Sequence, residues 1–140
     1  MIAESGTMVV TQPDRARLEQ MLRSLKTAGA PFRDHIRELE LAVGRAEVVP
    51  AADVGPDVIT MNSRARVRDV ESGRNETFTL VYHGESGMFD SKLSVLTSLG
   101  IATLGARVGD VIEWRTPRTT RRLRVEEVVY QPEAAGDTNL

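Results

Sequence analysis

The stretch KLSVLTSLGIATLGARVGDVIEW, Lys92 to Trp114, decides the fold of this chain. Its first residues, up to Val95, predict a short strand, and the residues from about Ser98 to Leu104 predict a short helix. Gly105 stands where a residue just past a helix adopts a left-handed conformation. The following RVGDVIEW predicts a turn and then a strand. The whole stretch therefore predicts a strand–helix–strand unit within a sheet.

Alternation of apolar and polar residues extends this sheet on both sides of the unit. Upstream, residues 63–70 and 77–82 flank the turn ESGRN and predict a β-hairpin. Downstream, residues 121–131 predict the last and longest strand, with a slip near Glu127 that would be a bulge. The order β-β-β-α-β-β predicts an antiparallel sheet with one helix on its face. The tail, residues 132–140, is polar and is predicted to be frayed.

Residues 1–49 predict two helices, each with one apolar row. The rows are Leu18, Met21, Leu22 and Leu25 in the first helix, and Phe32, Ile36, Leu39, Val43 and Ala46 in the second. The second row repeats every seven residues, which is typical of a coiled coil. Thr11 is predicted to cap the first helix, with Asp14 three residues on, and Gly29 and Pro31 separate the two helices. The hairpin is predicted either to project as a coiled-coil finger or to pack on the rest of the molecule.

The remaining boundaries follow from composition. Two prolines and a glycine in residues 50–57 forbid a continuous helix and predict a linker. Residues 58–140 then form the sheet domain. With 41% apolar and 27% charged residues, the 140-residue chain is in the range of globular proteins.

Composition also excludes several kinds of function. The chain has no cysteine and only two histidines, His35 and His83, so disulfides, thiolate catalysis and a histidine-rich metal site are excluded. No apolar run approaches the ~20 residues of a membrane span, and the start of the sequence lacks the features of a signal peptide. We therefore expect a cytoplasmic protein without a metal, a cofactor or a membrane partner.

Basic residues cluster in RARVR, residues 64–68, and in RTPRTTRRLR, residues 115–124. The net charge of −2 argues against a protein that neutralises many phosphates. Only 4% of the residues are aromatic, which leaves few rings for stacking on bases. The clusters therefore favour an acidic protein partner over nucleic acid. No phosphate-binding glycine loop or hydrolase motif accompanies them.

Several stretches resemble one known family. Lys92 to Trp114 resembles the C-terminal domain of the GreA/GreB transcript-cleavage factors, and Ser63 to Tyr82 resembles the first hairpin of that domain. VVPAADVGPDVITMNSR, residues 48–64, and VVYQPEAAGD, residues 128–137, are similar to the branch of regulators of nucleoside diphosphate kinase. The resemblance implies an α+β fold, in which a short antiparallel coiled-coil hairpin precedes an FKBP-like sheet with one short helix.

The resemblance also implies binding to bacterial RNA polymerase. Gre factors grip the rim of the polymerase secondary channel with a loop just before the short helix. The corresponding residues here are Leu96, Thr97, Ser98 and Leu99. Ser98 is predicted to be the helix N-cap. Leu96 and Leu99 are expected to form a small exposed apolar patch, because a partner has to reach them.

The tip of the helical hairpin departs from the Gre pattern. In Gre factors the tip enters the channel, and a pair of acidic residues there helps to hold a catalytic Mg²⁺. The tip residues here are Lys26, Thr27, Gly29, Pro31, Arg33 and Asp34. Asp34 is the only acidic residue in this segment and lies beside Arg33, and the hairpin is several turns shorter than a Gre hairpin.

The resemblance implies a regulator that binds RNA polymerase and competes with Gre factors, these differences predict that it is not an enzyme, and we expect it to be a monomer. One alternative is a cleavage factor that uses Asp34. A second alternative is an FKBP-like prolyl isomerase, whose activity needs a pocket lined by aromatic residues. One Trp, two Tyr and three Phe in the chain would supply only a thin lining.

Overall fold

The computed structural model describes residues 8–29, 31–85 and 91–137. The helices are α1 (Gln12–Thr27), α2 (Arg33–Arg45), α3 (Ser98–Thr103) and α4 (Pro132–Ala135), with a 3₁₀ turn at Ala51–Asp53. The strands are β1 (Val9–Thr11), β2 (Glu47–Val49), β3 (Arg64–Asp69), β4 (Asn75–Val81), β5 (Lys92–Ser94), β6 (Val111–Arg115) and β7 (Thr120–Tyr130). The α+β class is confirmed, and its FKBP-like details stay a prediction. None of the described helices is long and apolar enough to cross a membrane.

The two N-terminal helices form the predicted hairpin. Thr11 caps α1, and its Oγ1 accepts a hydrogen bond from the backbone N–H of Asp14 at 3.2 Å. Strands β1 and β2 pair in parallel at the open end of the hairpin, with Val10 opposite Val48. These strands were not predicted, because three residues are too few to show an alternating pattern.

The hairpin packs on the sheet domain, which is the second of the two predicted arrangements. The apolar rows share one core with the residues behind the sheet, and Leu18 and Leu39 are completely buried. Phe32 is the exception. Its side chain is 39% exposed, and its ring lies 5.3 Å from the ring of His83 between centroids. Because α2 begins only at Arg33, Phe32 lies outside the helical row to which its spacing assigned it.

The sheet has five strands in the order β5-β4-β3-β7-β6. The predicted strand–strand–strand–helix–strand–strand order is confirmed, but the fully antiparallel sheet is wrong, because β5 runs parallel to β4 with Thr79 opposite Lys92. Alternation predicts which residues share a face and is the same for both pairing directions. The register of β3 against β7 shifts twice, and one shift leaves Glu126 unpaired, which confirms the bulge predicted near Glu127.

The C-terminal segment is ordered through residue 137, so the prediction of a frayed tail is wrong there; residues 138–140 lie outside the described residues. The buried side chain of Gln131 donates to the carbonyl oxygens of Gly55 at 2.7 Å and Val58 at 2.9 Å. Its Oε1 also accepts from the N–H of Ala134 and caps α4. One glutamine therefore fixes both the end of the chain and residues 55–58.

Candidate protein-binding site

The loop before α3 is held by short-range hydrogen bonds. The Ser94 Oγ accepts from the N–H of Leu96 at 3.1 Å, and the Thr97 hydroxyl donates to the Ser94 carbonyl at 2.8 Å. The Thr97 Oγ1 also accepts from the N–H of Gly100 at 3.0 Å, so Thr97 is the N-cap of α3. The prediction that Ser98 caps this helix is wrong, because the extended backbone that a cap requires occurs one residue earlier.

The leucines of this loop are part of the hydrophobic core. Leu96 is 4% exposed and Leu99 is 9% exposed, so the predicted exposed patch is wrong. The reason is the close approach of α3 to the end of β5. A Cβ at Gly100 would lie 2.1 Å from the carbonyl oxygen of Ser94, so a glycine is required there. The helix lies so close to this strand that its apolar residues point inward.

A cleft of about 430 Å³ opens beside the loop. Its lining combines an apolar base with polar and charged residues, and consists of Glu76, Thr77, Phe78, Ser91, Lys92, Leu93 and Leu99. Leu93 is half-buried and Phe78 is buried, whereas Glu76 and Lys92 are exposed. The arrangement suits a partner that inserts an apolar side chain and presents polar groups around it.

A network of side chains holds the other side of the loop. The Trp114 indole N–H donates to the Ser98 Oγ at 3.2 Å, and the Arg121 guanidinium lies 5.2 Å from the centre of the Trp114 ring. Arg121 also donates to Asp69 at 2.9 Å and to Glu76 at 3.0 Å. Backbone N–H groups, that of Ser72 foremost, and then the Arg121 guanidinium hold the pKa of Asp69 below its ordinary value.

This network was not predicted from the sequence, although one signal was present. Trp114 and Arg121 lie directly opposite each other on paired strands of the predicted sheet, a position from which a cation reaches an aromatic ring. Asp69 and Glu76 come from the other hairpin, and their approach to Arg121 depends on the strand order. The network connects the loop to the far ends of β3 and β4.

The hairpin tip contrasts with the loop. All the predicted tip residues are exposed: Lys26, Thr27, Gly29, Pro31, Arg33 and Asp34. The Lys26 ammonium donates to Glu40 at 2.8 Å and links the two helices, and the Thr27 hydroxyl donates to the Arg23 carbonyl. Within residues 8–29, 31–85 and 91–137 the structure shows no group of three or more side chains suited to binding a metal ion. Among the predicted tip residues the one carboxylate is that of Asp34, at the start of α2.

The base of the hairpin is fixed by a buried carboxylate. Asp14 is 6% exposed, accepts from the N–H of Met61 at 3.0 Å and lies 3.3 Å from the donating hydroxyl of Tyr82. Burial raises the pKa of Asp14 to about 6, and the nearby charge of Glu133 acts in the same direction. The sequence pattern placed Asp14 only at the start of α1, because Met61 and Tyr82 lie far away in the sequence.

Comparison with known proteins places this geometry in a family. Residues 54–130 match the family described as "Transcription elongation factor, GreA/GreB, C-term". The chain is 37% identical to the "Regulator of nucleoside diphosphate kinase" of Escherichia coli, over 94% of this chain and 95% of that protein. It is 31% identical to "Transcription elongation factor GreA" of Thermotoga neapolitana, over 66% of this chain and 59% of that protein.

A solved structure agrees with the sequence relatives. The "Prokaryotic transcription elongation factor GreA/GreB from Nitrosomonas europaea" superimposes with a TM-score of 0.73 and is 37% identical. The alignment covers 90% of this chain and all of that one. The resemblance found in the sequence is thereby confirmed, and this chain belongs to the GreA/GreB family of transcription elongation factors.

Proposed function

We propose that this protein is a transcription regulator that binds RNA polymerase at the rim of the secondary channel and does not stimulate transcript cleavage. Membership of the GreA/GreB family supports the choice of polymerase as partner. The observation that carries the absence of cleavage is the hairpin tip, where Asp34 is the only acidic residue between positions 26 and 34. A Gre tip offers a pair of acidic residues for Mg²⁺, whose ligands must approach to about 2.0–2.1 Å, and the single carboxylate of Asp34 beside Arg33 is a poorer ligand set.

The packing of the hairpin supports the same conclusion. Helix α1 has 16 residues, about 24 Å at 1.5 Å per residue, and Leu18 and Leu22 anchor it in the core that lies behind the sheet. Only the part of α1 beyond these two leucines is therefore available to enter a channel. Exposed Lys26 and Arg33 accompany Asp34 there and repel a divalent cation.

The contact with the polymerase rim is proposed for residues 96–99 and the cleft beside them. The buried leucines Leu96 and Leu99 act as anchors that set the position of the loop, while half-buried Thr97 and Ser98 face the partner. The cleft lined by Phe78 and Leu93 receives an apolar side chain from the rim. Occupation of this rim excludes a Gre factor that uses the same surface.

A binding measurement with a matched control tests this proposal. Ser98→Arg places a long cation at the mouth of the loop, and Ala135→Arg adds the same charge on an exposed residue of α4. We expect Ser98→Arg to weaken binding to core RNA polymerase by about tenfold or more, and Ala135→Arg to leave it unchanged. Melting temperatures of both variants check that the fold is retained. Unchanged affinity in a folded Ser98→Arg protein would exclude the loop as the contact.

The prolyl isomerase alternative is not favoured by the structure. Phe78 is the one aromatic side chain among the described residues that line the cleft beside α3. Trp114, the largest aromatic residue of the sheet, is held by Ser98 and covered by Arg121. The described cleft therefore lacks the aromatic lining that this activity requires.

A further inference from the structure

One face of the sheet is covered with arginines. It is the face opposite α3, and its outward side chains come from alternate residues of β3, β6 and β7. Its arginines, which we call the arginine face, are Arg64, Arg66, Arg68, Arg115, Arg122 and Arg124. This concentration of cations occurs on a chain with a net charge of −2, so the charge of the molecule is strongly uneven.

Half of these arginines already have partners. Arg66 forms an ion pair with Glu127 at 3.1 Å, and Arg115 forms one with Glu113 at 3.6 Å. Arg64 donates to the hydroxyl of Thr79 at 3.2 Å. Glu127 lies opposite Arg66, and Glu113 lies opposite Arg122 on β6, so the opposed pair of Arg68 and Arg124 is the part of the face without a facing carboxylate.

The central arginines have no such partners. Arg68, Arg122 and Arg124 are exposed, and within the described part of the chain no ion pair or side-chain hydrogen bond is found for them. Arg68 and Arg124 lie directly opposite each other on β3 and β7. Like charges in that position destabilise a sheet. The fold itself therefore gains nothing from this pair.

We propose that the arginine face, centred on Arg68, Arg122 and Arg124, binds an acidic segment of another protein. A guanidinium group presents two parallel N–H donors that match the two oxygens of a carboxylate. Arg122 and Arg124 lie two residues apart on one strand, about 7 Å along it, with Arg68 about 5 Å across the sheet. Acidic residues in an extended partner segment would meet these cations at the same spacing.

The apolar residues beside the central arginines favour a protein over a nucleic acid as the partner. Val70 lies opposite Arg122 and is 41% exposed, and Val111 lies opposite Arg124. Arginine with exposed apolar side chains is the composition of a protein interface. Glu113, opposite Arg122, and Glu127, opposite Arg66, interrupt the cations, so a continuous phosphate backbone would meet both carboxylates, whereas a partner segment with separate acidic residues can avoid them.

Stacking with bases is not supported either. Tyr130 ends the face, and its hydroxyl is engaged by the carboxylate of Asp137. Binding of single-stranded nucleic acid depends on aromatic rings that are open to bases. This inference is independent of the polymerase proposal, because the cleft is lined by residues of β4, α3 and the start of β5, whereas the arginine face is centred on β3 and β7.

The experiment compares two double variants that remove the same charge. Arg68→Thr with Arg124→Thr removes the opposed pair and keeps residues that favour strands. Arg23→Gln with Arg37→Gln removes two exposed arginines from α1 and α2. The full-length proteins are titrated, near physiological salt, into a fluorescein-labelled peptide of Glu and Ser. The same peptide with Gln in place of Glu, and a labelled oligo-dT strand, serve as comparison probes.

We expect the wild-type protein to bind the Glu peptide saturably and the Gln peptide far more weakly. The Arg68/Arg124 variant should lose about tenfold or more in affinity, while the Arg23/Arg37 variant should retain it. The Arg68/Arg124 variant should also melt at an equal or higher temperature, since the opposed charges are gone. Absence of saturable binding, an equal loss in both variants, or tighter binding of oligo-dT on this face would overturn the proposal.

Discussion

The segment Leu96–Leu99, which is proposed to contact the polymerase, and the hairpin tip at residues 26–34 are built in opposite ways. The loop inserts two leucines into the core and is held by the hydroxyls of Ser94 and Thr97. At the tip the predicted tip residues are exposed, and one surface ion pair, Lys26 with Glu40, links the helices. The position of the loop is therefore fixed by its buried leucines, whereas the tip presents exposed side chains to the solvent.

This difference changes how mutations in the two segments should be interpreted. A substitution in the loop alters the fold before it alters a contact, so a loss of function there needs a stability control. A substitution at the tip changes charge and shape at the surface and leaves the core intact. The following predictions compare matched changes in the two regions, starting with the largest effect.

The largest effect is expected from a buried charge. Leu96→Asp places a carboxylate in the apolar core and should lower the free energy of unfolding by about 4 kcal/mol or more. Thr27→Asp adds the same charge at the exposed tip and should cost less than about 1 kcal/mol. Urea unfolding of both variants measures the difference. Equal stability of the two would mean that the loop is not anchored as described.

A pair of glycines gives the next comparison. Gly100→Ala brings a Cβ against the backbone of Ser94, and we expect a loss of about 3 kcal/mol or more, because backbone has to move. Gly29 at the tip has no atom within 4 Å of an added Cβ, and only its positive φ of 67° opposes a side chain. Gly29→Ala should therefore cost about 1–2 kcal/mol. Thermal melts that rank the two variants in the reverse order would contradict the close approach of α3 to β5.

The stability contributed by the base of the hairpin should depend on pH. Burial raises the pKa of Asp14 to about 6 from 3.8, so the folded protein keeps a proton that the unfolded chain loses between these values. The contribution of Asp14 to stability is therefore most favourable at low pH and declines as pH rises through 6. At 1.36 kcal/mol per pKa unit, the ionised carboxylate costs about 3 kcal/mol at most above pH 7.

The variant Asp14→Asn tests this dependence. It keeps an oxygen that accepts from the N–H of Met61 and cannot ionise, so it should be more stable than wild type at pH 7.5 and lose that advantage near pH 4. Denaturant unfolding across this range measures both curves, with Asp34→Asn at the tip as the control. If the free energies of unfolding of wild type and Asp14→Asn changed with pH in parallel, the raised pKa of the buried Asp14 would be contradicted.

The smallest effect is expected at the ion pair of the tip. Lys26 and Glu40 are both substantially exposed, and such pairs contribute about 0–1 kcal/mol. Lys26→Ala should change the free energy of unfolding by less than about 1 kcal/mol. A double-mutant cycle with Glu40→Ala isolates the coupling, and a coupling well above that value would show a tip more rigid than its exposure indicates.

The sequence predicted features that depend on local pattern. The two helices, the cap at Thr11, the turn at Gly105 and the bulge near Glu127 each leave a signal within a few residues, and all are present. The features that it did not predict depend on contacts distant in sequence. The burial of Asp14 and the anchoring by Gln131 require the fold to be known.

The candidate site shows the same limit, because the exposure of its side chains also depends on contacts that the sequence does not show. Family resemblance placed residues 96–99 at a loop before a short helix, and in the structure Leu96 and Thr97 precede α3 whereas Ser98 and Leu99 are its first two residues. It did not predict the exposure of individual side chains, because Leu96 and Leu99 point inward only when α3 lies against β5 at Gly100. The spacing of residues along the sequence does not show how closely α3 approaches β5.

The most direct test of the proposed function is a transcript-cleavage assay with backtracked RNA polymerase complexes. The wild-type protein alone should give no stimulation of cleavage. Added to a fixed amount of a Gre factor, it should slow cleavage, and excess Gre factor should restore the rate because both compete for one rim. Robust cleavage by the wild-type protein that is abolished in Asp34→Ala would contradict the proposal and identify the protein as a cleavage factor.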